Sequence, residues 1–154
     1  MATLTAQDIG EHIQQPRESL TAAVDRFRNW TKMGLIKPTG ERHPGTGHKK
    51  RYAKAVLLEA VLMQSLLNLT ERPAVDLAGI VKGILVVLEH GGAFSFDQDS
   101  SRYTVELKGL SLTIRTSQNP HSWMGLNLKP LFASYRLNVE DFPAIARLFK
   151  KTKS

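Results

Sequence analysis

The stretch RESLTAAVDRFRNWTKMG, residues 17–34, combines an apolar stripe with a basic opposite side. Its large apolar residues recur every three or four positions, which is the period of a helix with one buried face. Glycine at position 34 favours the left-handed conformation that ends many helices. The stretch therefore predicts a helix from Arg17 to Met33, with its apolar stripe at Leu20, Val24, Phe27 and Trp30.

A shorter helix is predicted ahead of this stretch, in AQDIGEHIQQ. Thr5 precedes it as a capping residue, and Asp8 stands three positions later, as in a variant of the capping box. Pro16 interrupts the pattern and suits the first position of the following helix. Together the two segments predict a helix–turn–helix.

Basic residues are concentrated immediately after this predicted helix pair. From Arg26 to Lys54 the chain has nine Lys or Arg residues and one acid, Glu41, so the formal charge of this region is +8. The whole chain has a formal net charge of +7, so the remaining residues sum to −1. The segment GLIKPTGERHPGTGHKKRY, residues 34–52, supplies much of it and is punctuated by glycine and proline, which indicates a loop. Such a region indicates an anionic partner, with nucleic acid favoured over an anionic membrane surface.

Two apolar helices are predicted next. AKAVLLEAVLMQSLLNL, from about Ala53 to Leu69, is apolar nearly all round, which indicates burial between layers or at a subunit contact. We therefore expect a homodimer. The second helix, Ala74–His90, contains Asp76, Lys82 and two glycines, which favours a core helix over a membrane span. We expect no membrane association.

The pattern then changes to alternation. RYTVEL and LSLTIR predict a hairpin turning at Lys108-Gly109, with Tyr103, Val105 and Leu107 on one face and Leu110, Leu112 and Ile114 on the face opposite them. AFSF is a candidate short strand before the hairpin, and SQNP, residues 117–120, a turn after it. NVEDFPAIARLFKK predicts a last helix capped by Asn138.

These patterns predict an α+β protein with two domains. Residues 1–70 would form a winged helix-turn-helix, and residues 71–154 a small domain of helix, β-hairpin and helix. The second domain could serve dimerisation, docking, or the binding of a small-molecule or protein effector.

Residues in the first domain resemble the DNA-binding domain of MerR-type regulators. The matching segments are WTKMGLIKP and GHKKRYAKAVL: Arg28 and Trp30 match the end of the second helix, Gly34 the helix exit, and Lys50–Tyr52 the end of the wing. The resemblance covers about residues 4–66 and implies that Arg28, Lys50, Arg51 and Tyr52 approach the phosphate backbone. Asn29 and Thr31 depart from the family pattern, and the long dimerising helix is missing.

The predicted function is sequence-selective binding of double-stranded DNA, with transcriptional regulation the preferred role. Residues at the start of the second helix are expected to meet base edges, and residues of the wing and of the helix end to meet phosphates. The predicted DNA-binding residues are Arg17, Ser19, Thr21, Arg28, Lys32, His48, Lys49, Lys50, Arg51 and Tyr52. Two alternatives stay open: an excisionase-like recombination or architectural protein, and a protein- or ligand-binding module with no role on DNA.

Other chemistry finds little support in the sequence. The absence of cysteine excludes disulfides and thiolate sites and suits a reducing compartment, so we expect a cytoplasmic, nucleoid-associated protein. The five histidines lack metal-ligand spacing, and GTGHKK fails the phosphate-loop pattern. Asp97 and Asp99 suit a turn. We expect no enzyme activity, no metal and no cofactor.

Overall fold

The fold is α+β, as predicted, and the chain divides into two compact units, Met1–Val75 and Asp76–Ser154. The computed structural model describes residues 3–38, 50–117 and 119–151, with side chains except those of 119–123. The described helices and strands are α1 (Ala6–Ile13), α2 (Leu20–Lys32), α3 (Lys54–Thr70), α4 (Ala74–His90), β1 (Ala93–Gln98), β2 (Ser101–Lys108), β3 (Ser111–Thr116), β4 (Asn119–Asn127), α5 (Leu128–Ser134) and α6 (Pro143–Lys151).

The capping box predicted for α1 is confirmed. Thr5 Oγ1 accepts from the Asp8 backbone N–H at 3.2 Å, and the Asp8 carboxylate accepts from the Thr5 N–H at 2.8 Å. Two of the unpaired donors at the start of the helix are thereby satisfied. The same backbone bond from Thr5 is the main reason why the pKa of Asp8 lies below its ordinary value.

Helix α2 begins later than predicted. Arg17 has a left-handed backbone with φ of 67°, and Ser19 caps the helix by accepting from the Ala22 N–H at 3.1 Å. The prediction that the helix runs from Arg17 was wrong because the serine cap and the left-handed residue before it fix a later start. The end is confirmed: Gly34 has φ of 77° after the last turn.

The crossing of α1 and α2 depends on a glycine. A Cβ built on Gly10 would lie 2.5 Å from Val24 Cγ2 and 3.3 Å from Val24 Cα. The first of these distances is shorter than real Cβ contacts allow, so the absence of a side chain lets the two helices approach closely at this point. Around the crossing Ile9, Ile13 and Phe27 are fully buried.

Helix α3 agrees closely with its predicted bounds. Ten of its residues, Val56, Leu57, Leu58, Ala60, Val61, Leu62, Met63, Gln64, Ser65 and Leu66, are buried in the single chain. The apolar character around this helix therefore does not by itself require a second copy. The homodimer stays a prediction.

The second unit contains a four-stranded antiparallel meander in the order β1-β2-β3-β4. AFSF forms part of β1, as predicted. The register pairs Val105 with Ile114 and Leu107 with Leu112, so the two apolar rows share one face of the sheet rather than lying on opposite faces. The turn also lies one residue later than predicted, at Gly109-Leu110, because Lys108 still pairs with Ser111.

Two further segments of this unit differ from the prediction. Asn119 and Pro120 begin β4 instead of forming a turn, and proline is tolerated there because β4 is an edge strand. Asn138 caps a short 3-10 turn, Val139–Asp141, and α6 starts separately at Pro143. The predicted last helix was therefore too long, and proline at the first helical position explains the new start.

Glycines also allow close packing of α4 on the sheet. A Cβ at Gly79 would lie 2.3 Å from Gln98 Oε1, and one at Gly83 would lie 3.0 Å from Phe96 Cε1. The Phe96 ring stacks on Tyr103, with centroids 5.4 Å apart. Helix α4 thus presents its small residues to β1.

Replacing Gly10 by alanine tests the helix crossing. We expect a loss of about 1–2 kcal/mol in the free energy of unfolding, since overpacking outweighs the better helix propensity of alanine. In a Val24→Ala background the obstructing methyl groups are absent, so the same change should be neutral or stabilising. Urea unfolding of the four proteins of this cycle measures the coupling. Equal stabilisation by Gly10→Ala in both backgrounds would contradict a close crossing.

Candidate nucleic-acid interface

Helix α2 presents a polar face to solvent. Val24, Phe27 and Trp30 are buried, which fixes the rotation of the helix about its axis. Thr21, Asp25, Arg28 and Lys32 follow one another at helical spacing along the other side. The exposed residues of the helix are Thr21, Ala22, Asp25, Arg28, Asn29 and Lys32.

A groove of about 460 Å³ adjoins the C-terminal end of this face. The start of α1 contributes one wall, α2 contributes the second, and residues 50 and 52 close it. The lining residues are Thr5, Ala6, Gln7, Asp8, Arg28, Thr31, Lys32, Lys50 and Tyr52. Three basic side chains and one acid therefore meet in one concave region.

The cations of the groove are not paired with any acid among the described residues. Arg28, Lys32 and Lys50 are exposed and make no ion pair with any described residue. The one acid of the groove, Asp8, is already occupied by the Thr5 backbone N–H. The groove therefore has a positive charge that an anion can meet.

Two other arginines of the basic region, Arg26 and Arg51, have structural partners. Arg26 forms an ion pair with Glu18, with Nη2 donating to Oε1 at 3.0 Å, and its Nε donates to Gln64 Oε1 at 2.8 Å. Arg51 Nε donates to Thr3 Oγ1 at 2.7 Å. The +8 of the sequence therefore includes charge that holds the fold, as well as charge that remains available.

The Arg26–Glu18 pair organises the turn between α1 and α2. Glu18 Oε1 also accepts from the Gln15 backbone N–H at 3.0 Å, and Gln15 Oε1 accepts from Asn68 Nδ2 at 2.9 Å. Through Gln64 and Asn68, the turn is connected to α3. The pKa of Glu18 lies below its ordinary value, chiefly because its carboxylate accepts hydrogen bonds from Arg26.

Tyr52 lies in the core beside the groove. Only 1% of the residue is exposed, its ring packs on Phe27 with centroids 4.8 Å apart, and its hydroxyl lies 3.2 Å from Thr31 Oγ1. Its backbone forms an antiparallel bridge with Leu4, with N–H to O distances of 2.7 and 2.8 Å. Tyr52 therefore positions its neighbours Lys50 and Arg51 and offers little surface of its own.

The predicted site residues fall into three groups, apart from Arg51, whose guanidinium donates to Thr3. The groove brings together Arg28, Lys32, Lys50 and Tyr52. Arg17, Ser19 and Thr21 are exposed at the other end of α2, with Arg17 and Ser19 before the first helical residue. His48 and Lys49, with the rest of the predicted wing at 39–49, lie outside the described residues.

Sequence reasoning missed several residues of this surface. Thr5 and Gln7 line the groove at the start of α1, and Asp25 and Asn29 lie on the exposed face of α2. The helical period could have placed the last two, because they lie away from the stripe of Val24 and Phe27. No local signal indicated Gln7. It lines the groove because Tyr52, far away in the sequence, pairs with Leu4 beside the start of α1.

Within residues 3–38, 50–117 and 119–151, no three His, Asp or Glu side chains are grouped so as to hold a metal ion. No helix of those ranges is both long and apolar enough to cross a membrane. No protein-family model, curated protein or solved structure matches this chain.

The lowered pKa of Glu18 predicts an acid-sensitive turn. A carboxylate whose pKa is lowered by folding contributes its full stabilisation above its ordinary pKa, near 4.3, and loses it as pH falls through the lowered value. We expect the free energy of unfolding to decrease from about pH 5 toward pH 3. Glu18→Gln should reduce that decrease, measured by urea unfolding at each pH. Asp99→Asn, an exposed turn residue, is the control, and identical pH profiles for all three proteins would contradict the assignment.

Proposed function

We propose that this protein binds double-stranded DNA with sequence selectivity through its first unit. The observation that carries the proposal is a group of three cations around the groove, at one end of an exposed polar helix face. These cations, Arg28, Lys32 and Lys50, have no ion-pair partner among the described residues. Phosphate is the anion that such a groove would meet repeatedly along a duplex. The exposed face of α2 would then lie in the major groove, whose width admits a helix.

The roles of the two surfaces differ in this proposal. The groove fixes the protein on the backbone, with Arg28, Lys32 and Lys50 as cations and Gln7 as a neutral donor. Thr21, Ala22 and Asn29 belong to residue types that contact base edges: threonine and alanine meet the thymine methyl, and asparagine pairs with adenine. Selectivity arises from α2, and affinity from the groove.

The resemblance to MerR-type domains supports the same assignment. The helix pair, the exit at Gly34 and the return of the chain at Tyr52 have the order expected of a winged helix-turn-helix. The wing predicted from the sequence would bring His48 and Lys49 to the phosphates. Transcriptional regulation on the nucleoid is the role we prefer. Single modules read few base pairs, so we expect a homodimer that reads paired half-sites.

Removing two charges of the groove tests the proposal. Lys32→Ala/Lys50→Ala should weaken binding to specific and random duplexes alike, because both residues would contact phosphate. The slope of log K against log salt should become shallower by about 1.8, at about 0.9 per lost contact. The matched control is Lys129→Ala/Lys150→Ala, which removes two exposed lysines from the second unit.

Fluorescence anisotropy over a salt series measures these slopes. If the control pair changed the slope as much as the groove pair, net charge rather than the groove would bind DNA. If the unmodified protein retained no duplex at micromolar concentration in low salt, DNA binding itself would be excluded, and a protein- or ligand-binding role would replace it.

A further inference from the structure

Asp25 is the one acid on the exposed face of α2, and it lies between Thr21 and Arg28 on the same stripe. An acid in this position disfavours contact with phosphate. If the whole face met the DNA backbone, Asp25 would repel it. In the DNA complex proposed above, Asp25 therefore fits best against a group that donates hydrogen bonds.

Among the described residues, Asp25 has none of the structural roles open to an exposed aspartate. An acid in the first turn of a helix is stabilised by the helix dipole. Leu20 is the first residue of α2, so Asp25 lies beyond that turn. Ser19 already caps the helix. Asp25 forms no ion pair or hydrogen bond with any residue in the described part of the chain, although Arg28 stands three positions later. Residues three positions apart on a helix lie close enough to form an ion pair.

We propose that Asp25 is a specificity-determining residue that accepts a hydrogen bond from the N4 amino group of a cytosine in the major groove. A carboxylate is acceptor-only, and cytosine presents N4–H₂ as a donor in that groove. Adenine also offers a donor, but its neighbouring N7 is an acceptor that repels a carboxylate. This inference rests on the proposed DNA binding and adds the identity of one base pair.

Sequence selection from a random duplex library tests the inference. The wild-type protein should select a C·G pair at one position, and Asp25→Asn should lose that preference and favour adenine, which asparagine pairs with through N6 and N7. Asp25→Asn should also bind random duplex more tightly, because a repelling charge is removed. Asp99→Asn, the same chemical change in the exposed β1–β2 turn, should select like wild type. The unfolding midpoint of Asp25→Asn should not change.

A base analogue makes the test direct. Replacing the selected cytosine by a pyrimidin-2-one nucleotide, which lacks the 4-amino group, should weaken wild-type binding by about five- to 150-fold, the equivalent of 1–3 kcal/mol. The same replacement should change binding of Asp25→Asn and Asp25→Ala by less than about twofold.

The outcomes separate the two proposals. Identical base preferences of wild type and Asp25→Asn, or equal losses on the analogue, would overturn the inference while leaving DNA binding intact. Binding of duplex with no base preference would overturn the inference together with the selectivity of the proposed function. Failure of the wild-type protein to bind any duplex would overturn both.

Discussion

The packing of Tyr52 connects the separate segments of the first unit. Its backbone bridges Leu4 ahead of α1, its ring packs on Phe27 of α2, and its hydroxyl contacts Thr31. Helix α3 starts two residues later. Because the chain returns to Leu4 at this point, the position of Lys50 and Arg51 depends on a buried aromatic ring. The groove exists because that return places Lys50 opposite the start of α1.

The basic residues of the first unit differ in whether they have a partner within the fold. Arg26 is shielded by Glu18 and Gln64 and connects the α1–α2 turn to α3, so it contributes to the fold. Arg28, two positions later, points to the other side of the same helix and has no described partner. Arg26 and Arg28 are two positions apart. At 3.6 residues per turn, their side chains leave the helix in nearly opposite directions, so they meet different surroundings. Net charge alone could not have made this distinction.

The sequence predicted elements whose signals are local. The capping box at Thr5, the exit at Gly34 and the strand in AFSF are confirmed, because each depends on a few adjacent residues. Predictions failed where a competing local signal decided the boundary. Ser19 moved the start of α2, and Pro143 separated α6 from the turn that Asn138 caps.

The candidate site shows the same division. Arg28, Lys32 and Lys50 were predicted from charge and resemblance, and the groove includes all three. Gln7 joins them through the bridge between Leu4 and Tyr52, a contact between distant parts of the sequence. The close approach at Gly10 was also missed, since a helical glycine has no pattern that reveals which neighbour it accommodates.

If the first unit binds DNA as proposed, one defined surface of that unit meets the duplex. Titration of ¹⁵N-labelled protein with a short duplex measures this most directly, because each amide reports its own environment. We predict shift changes at Thr5, Gln7, Lys50 and along α2 from Thr21 to Lys32, with the strands of the second unit unaffected. Changes concentrated in the β-sheet, or none at any residue at saturating duplex, would contradict it.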